Sequence, residues 1–235
     1  MKEKASHPIS FLVTDDLSYT LYSKQFKATY HSIRGAVSES DYVFIKNGLG
    51  NYNERFKPHK VAILEIGFGT GLNTFLTQLY ALEHGMKINF HTVEAYPIRV
   101  EDALKLNYGT RFASVDELLL HQLHEQAWDT SMLYSDSFSL TKHFSLLESF
   151  TSQLTFDVIY FDTFSPSEQP ELWTEEVFKK LFELLNSNGI LVTYCAQGQM
   201  KRNMKAAGFK VESLPGALGK REMTRGLKGL HFFNY

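Results

Sequence analysis

The chain has 235 residues, 43% of them hydrophobic and 21% charged, with 15 glycines, one cysteine and a formal net charge of −2. This is enough apolar material for one buried core, and it excludes disordered and collagen-like chains. The net charge hides an asymmetry, because residues 1–60 sum to +3, residues 61–198 to −11 and residues 199–235 to +6.

At the start, Met1–Phe11 mixes Lys2, Glu3 and Lys4 with His7 and Pro8 and lacks the apolar run of a secretory leader. No stretch approaches the roughly 18 apolar residues of a membrane span. Cys195 lies in an apolar run and reads as a core thiol, so a reducing, cytoplasmic setting is expected. Before residue 60, Tyr19–Tyr22, Ala28–Tyr30 and Tyr42–Ile45 predict short strands with little helix, a β-rich N-terminal cap over residues 1–58.

From residue 59 to 235, strands and helices alternate. Val61–Ile66 predicts a strand ending at a glycine cluster, and Leu72–Leu82 has helical spacing. Ile88–Val93 predicts a second strand, Pro97 opens a helix running to about Asn107, and Ser114–Trp128 predicts another helix. Leu133–Tyr134 offers a brief third strand and Phe156–Phe161 a fourth. Glu175–Leu185 is a helix closing near Asn188-Gly189, Ile190–Cys195 a further strand, and Lys201–Ala207 a short helix. Lys210–Leu214 and Leu230–Tyr235 predict a terminal strand pair joined by a Gly- and Lys-rich loop. The expected fold class is α/β and Rossmann-like: a mostly parallel, doubly wound sheet with an antiparallel C-terminal strand.

The cluster Glu65-Ile-Gly67-Phe-Gly69-Thr-Gly71 sits between strand and helix, where glycines permit tight turning and close approach of a ligand. Its G-x-G-x-G spacing, with an acid two residues ahead, departs from the G-x-G-x-x-G of dinucleotide binders. Carboxylates nearby suit cationic S-adenosylmethionine better than a pyrophosphate. Glu94, after the second strand, is placed to hold a ribose diol. Asp136, after the third, is a candidate for the adenine amino group, with a plain turn before Ser137 as the competing reading. Asp162 ends the fourth strand in Asp162-Thr-Phe164-Ser-Pro166 and is the catalytic candidate, with Phe164 beside it to pack on a planar base. Lys201, Arg202, Lys205, Lys220, Arg221, Arg225 and Lys228 form a basic tail suited to a nucleic-acid backbone. His121 and His124 lack a third spaced ligand, read as helix-surface residues, and leave no metal site expected.

Together with Leu172-Trp173-Thr174, Thr193-Tyr194-x-Ala196-x-Gly198 and Lys220-Arg-Glu-Met223, these motifs resemble the methyltransferase domain of the bifunctional tRNA 5-methylaminomethyl-2-thiouridine biosynthesis protein. The likeness runs from about Tyr22 to Gly229 and is poor over residues 109–130. It implies a class I S-adenosylmethionine-dependent methyltransferase acting on the aminomethyl group of a tRNA wobble uridine. Glu65, Gly67, Gly69, Gly71, Glu94 and Asp136 would hold the cofactor and Asp162 would meet the amine, by positioning more than by base action. Phe164, Lys201, Arg202, Lys220, Arg221 and Arg225 would contact the anticodon loop. Trp173 and Tyr194 are further stacking candidates, with burial in the core as the competing fate. No flavin-dependent oxidase region follows Tyr235, so a stand-alone form is expected, with any oxidase activity on a separate protein. Two other readings stay open: an aminopropyltransferase resembling spermidine synthase, and a non-catalytic RNA-binding module.

Overall fold

A computed structural model describes residues 9–109, 112 and 118–229. Strands β1 (Ile9–Val13), β2 (Tyr19–Ser23) and β3 (Ala28–Thr29) form an antiparallel sheet of their own. The chain is then helical from Ala36 to Phe56: α1 (Ala36–Ser40), π-type turns over Asp41–Gly50, and α2 (Asn51–Phe56). Tyr42–Ile45, expected as a strand, lies in the π-type turns. A run of consecutive apolar residues does not distinguish strand from buried helix. Here packing decides, since Val43, Phe44, Ile45 and Leu49 are all buried, with Phe44 against Tyr160 at 5.3 Å between ring centroids.

Among the described residues the second sheet has eight strands. Five are parallel: β4 (Lys60–Ile66), β5 (Lys87–Glu94), β7 (Phe138–Phe144), β8 (Phe156–Phe161) and β9 (Leu185–Thr193). β6 (Thr130–Ser135), β10 (Lys210–Pro215) and β11 (Glu222–Leu227) run antiparallel to their neighbours, in the order β10-β11-β9-β8-β4-β5-β7-β6. Except for an exposed Lys60 and a half-buried Ala62, β4 is buried along its length, as a central strand covered on both faces must be. The main helices are α3 (Leu72–His84), α4 (Val100–Ala103), α5 (Leu118–Glu125), α6 (Glu175–Leu184) and α7 (Gly198–Ala206). α3 ends at Gly85 in a left-handed conformation, where the Met86 N–H reaches the Ala81 carbonyl at 3.0 Å.

Three other expectations are corrected. The helix predicted from Pro97 shrinks to the four residues of α4, because Tyr96–Ile98 runs non-helical past the sheet's carboxyl edge. The third parallel strand is β7, and the predicted Leu133–Tyr134 strand belongs to the antiparallel edge strand β6. The described partner of β10 is β11, which the sequence reading put in a loop, while Leu230–Tyr235 lies outside the described residues. A buried strand holding Arg225 is tolerated because Glu212 stands directly across the hairpin and takes two hydrogen bonds from the guanidinium, at 2.8 and 2.9 Å.

Candidate active site

The sheet order reverses between β4 and β8, and ligands of open α/β sheets bind outside the strand ends at such a point. Ile66 is registered with Phe161, so the next residues, Gly67 and Asp162, leave the sheet side by side. They border a cavity of about 680 Å³, within the range of small-molecule sites. The carboxyl ends of β5, β7 and β9 bring Glu94, Ser145 and Tyr194 to the same cavity. The N-terminal cap closes it with Phe26, Tyr30, His31 and Glu39.

Asp162 is held at one oxygen, where Asn73 Nδ2 donates to Oδ2 at 2.8 Å. Enclosure in the cleft pushes its carboxyl up to about 7; the Asn73 bond pulls the other way, and nearby Glu39 raises it further against the opposing pull of Lys220. Glu94 lines the cavity and also organises the loop: its Oε2 accepts from the Gly69 N–H at 3.1 Å and its Oε1 from the Tyr96 N–H at 2.7 Å. Burial raises its pKa, against these backbone bonds. Phe164 reaches the cavity as well, stacked on Phe26 at 4.6 Å and 25° and edge-on to Tyr30 at 5.1 Å. Tyr194 borders it too, whereas Trp173 is buried in the core.

Three cofactor candidates stand elsewhere. Glu65 is fully buried beneath the loop, accepting from Thr92 Oγ1 at 2.7 Å and Thr74 Oγ1 at 3.2 Å, and desolvation holds its carboxyl well above the usual range. Gly71 lies outside the cavity lining; a Cβ there would meet His124 Nε2 at 3.0 Å and Phe68 at 3.1 Å, so its small size serves packing. Asp136 is exposed in the β6–β7 turn, at the amino end of β5 and β7 and so across the sheet from the cavity, because β6 runs against its neighbour. The carboxyl end of β7 supplies Ser145–Glu148 instead.

The basic candidates divide. Lys220 lines the cavity, its Nζ donating to Glu39 Oε1. Lys201 pairs with Glu222 at 2.5 Å, and Arg225 is buried against Glu212 with a further bond to the Asn47 carbonyl at 3.2 Å. Arg202 and Arg221 are exposed, Arg202 bonded to Gln199 and the Arg221 side chain 95% accessible. His124, expected at a helix surface, is buried and bonded to the Thr70 carbonyl at 3.0 Å, so α5 braces the glycine loop from behind. Lys142, fully buried, donates to the carbonyls of Leu123, His124 and Gln126 and so holds the end of α5. Glu39, Asn73, Tyr30 and His31 went unread in the sequence, since only the fold brings the cap and α3 to Asp162. No group of three His, Cys, Asp or Glu suited to a metal, and no helix long and apolar enough to cross a membrane, is found among the described residues.

Residues 113–229 match the family described as S-adenosyl-L-methionine-dependent methyltransferase. Its relatives include two proteins named tRNA 5-methylaminomethyl-2-thiouridine biosynthesis bifunctional protein MnmC. That of Hydrogenovibrio crunogenus is 31% identical over 87% of this chain and 32% of its own length; that of Cupriavidus metallidurans is 32% identical over 87% and 32%. The chain thus spans about a third of the curated relatives it matches. Among solved structures, MNMC2 from Aquifex aeolicus superposes with a TM-score of 0.77 at 23% identity, covering 96% of this chain and 72% of that one. Spermidine synthase from Thermotoga maritima shares the fold with a TM-score of 0.58 at 13% identity, over 95% and 69%.

Proposed function

We propose that the chain methylates the exocyclic amine of 5-aminomethyl(-2-thio)uridine at the wobble position of tRNA, giving the 5-methylaminomethyl base. The observation that carries this reading is the seating of Asp162 beside Gly67 on one cavity, a carboxylate for an amine next to a bare backbone for a cofactor. The names of the bifunctional relatives support the choice of acceptor.

The residues present fit S-adenosylmethionine. Gly67 and Gly69 line the cavity without side chains, packed closely on the Asp162 carbonyl and the Tyr30 ring, and Glu94 and Asp162 supply carboxylates toward a cationic ligand. When bound, the cofactor supplies an electrophilic methyl group on a sulfonium. Asn73 fixes Asp162 Oδ2 and leaves Oδ1 to take a hydrogen from the incoming amine, which orients the nitrogen lone pair. An alkylammonium must shed a proton before it can attack. A carboxylate near neutrality, which Asp162 is, accepts that proton far better than an ordinary one. Arg202, Lys205 and Arg221 are exposed cations of the basic tail and serve the RNA backbone in this reading. The location is then cytoplasmic, and the cap spans residues 1–58 and the transferase residues 59–235.

The test is incubation with methyl-labelled S-adenosylmethionine and tRNA bearing unmethylated aminomethyluridine, followed by nucleoside mass spectrometry. Label in the wobble nucleoside is expected. Turnover of a polyamine with the decarboxylated cofactor alone indicates aminopropyl transfer, and tRNA binding without turnover indicates an RNA-binding module; either result overturns the proposal.

A further inference from the structure

Among the carboxylates that line the cavity is Glu39, delivered by helix α1 of the cap. Its side chain is only 9% exposed, and its Oε2 is fixed by the Ser32 N–H at 2.9 Å. Oε1 accepts from Lys220 Nζ, and that ammonium stands 5.3 Å from the centroid of the Tyr194 ring. The ring is fixed in turn, because the Tyr194 hydroxyl donates to the carbonyl of Thr163, the neighbour of Asp162, at 2.8 Å. Glu39, Tyr194, Lys220 and Asp162 all border the same space. An alkylammonium held between a carboxylate and an aromatic face is thus already displayed within the protein, and a primary ammonium on a methylene carbon is the group that a lysine carries.

We infer that Glu39 and the face of Tyr194 form the seat of the acceptor's aminomethyl group, and that Lys220 occupies this seat until the acceptor displaces it. The inference rests on the reading of the acceptor as an alkylamine. Exchange of one ammonium for another keeps the buried Glu39 carboxylate paired throughout, so it avoids the cost of an isolated buried charge. Lys220 can leave because its side chain is 39% exposed, whereas Glu39 and its backbone donor are held by the cap. Glu39 then binds the amine in its charged form and presents it to Asp162, which receives the proton.

The test uses the full chain, with methylammonium chloride as the probe of the seat and tRNA bearing aminomethyluridine as substrate. Methylammonium should inhibit wild-type transfer competitively toward tRNA and not toward S-adenosylmethionine. Glu39→Gln should raise KM for tRNA about tenfold or more, abolish methylammonium inhibition and leave cofactor affinity within twofold. Lys220→Met should strengthen methylammonium inhibition. If Glu39→Gln retains the wild-type inhibition constant, or if Lys220→Met weakens inhibition as much as Glu39→Gln does, the pair is a structural brace and the inference falls. Should Glu39→Gln fold poorly, Glu39→Asp is assayed in its place with the same expectations for KM and inhibition. If wild type transfers no methyl to this tRNA, the acceptor reading fails, while methylammonium binding by NMR, wild type against Glu39→Gln, still decides the seat.

Discussion

Gly67 and Asp162 are in backbone contact across two adjacent parallel strands: a Cβ on Gly67 would lie 2.3 Å from the Asp162 carbonyl oxygen. Gly67 also has φ +95°, a conformation that side chains oppose. The candidate cofactor loop and the candidate catalytic carboxylate are therefore one mechanical unit. Gly67→Ala should cost stability, on the order of 1–3 kcal/mol from backbone strain alone, and weaken S-adenosylmethionine binding at least tenfold. Calorimetric titration and thermal unfolding check this; wild-type affinity would separate the loop from the site.

Asp162→Asn keeps the shape and the neighbour Asn73 while removing the charge. Methyl transfer should fall by about 10² or more, with cofactor binding preserved, as single-turnover kinetics will show. The sign of the stability effect is also set. Since the folded-state pKa is raised from 3.8 to about 7, the ionised carboxyl disfavours the fold, and stability present below pH 4 is lost as pH rises through 7. The Asn variant should consequently unfold at a higher temperature than wild type at pH 8, with the difference shrinking toward pH 4.

Three histidines, His31, His91 and His124, are held neutral, their pKa values lowered to about 4 chiefly by burial. Their contribution to stability is complete above their unfolded value near 6.5 and is lost as pH falls from there toward 4. The melting temperature should drop steeply over that window. His91→Phe, at a site beside Phe156 where His91 also faces His143 at 3.0 Å, should flatten the slope.

Arg225 and Arg221, four residues apart, should behave oppositely. Arg225→Ala removes both guanidinium bonds to Glu212 and empties a buried position, costing about 3 kcal/mol in denaturant unfolding. Arg221→Glu should leave stability within about 0.5 kcal/mol, weaken tRNA binding and reduce its salt dependence, measured by titration at several ionic strengths. Equal effects of the two on tRNA affinity would contradict this division.

Much of the parallel core was legible because its strands are short apolar runs bounded by turn residues, and the glycines after Val61–Ile66 marked the tight turn that borders the cavity. β7 was harder to read: Phe138–Phe144 includes Lys142, and a buried lysine appears polar until the three carbonyls that receive it are known. Asp136 was misplaced for a related reason, since a strand's direction in the sheet is invisible in its sequence. Charge misled in the tail as well, where Lys201, Lys220 and Arg225 look identical to surface cations until their partners, Glu222, Glu39 and Glu212, are found.

What the amino-acid sequence alone determined was local: a strand, a glycine turn and a helix, and an acid at the close of Phe156–Phe161, all set by spacing and backbone sterics over a few residues. The tertiary structure decided which groups share the cleft. Glu39 and Asp162 are 123 positions apart, and they approach because helix α1 leads into a helical segment that buries Val43, Phe44 and Leu49 on the core, a long-range gain in apolar burial that no local pattern encodes.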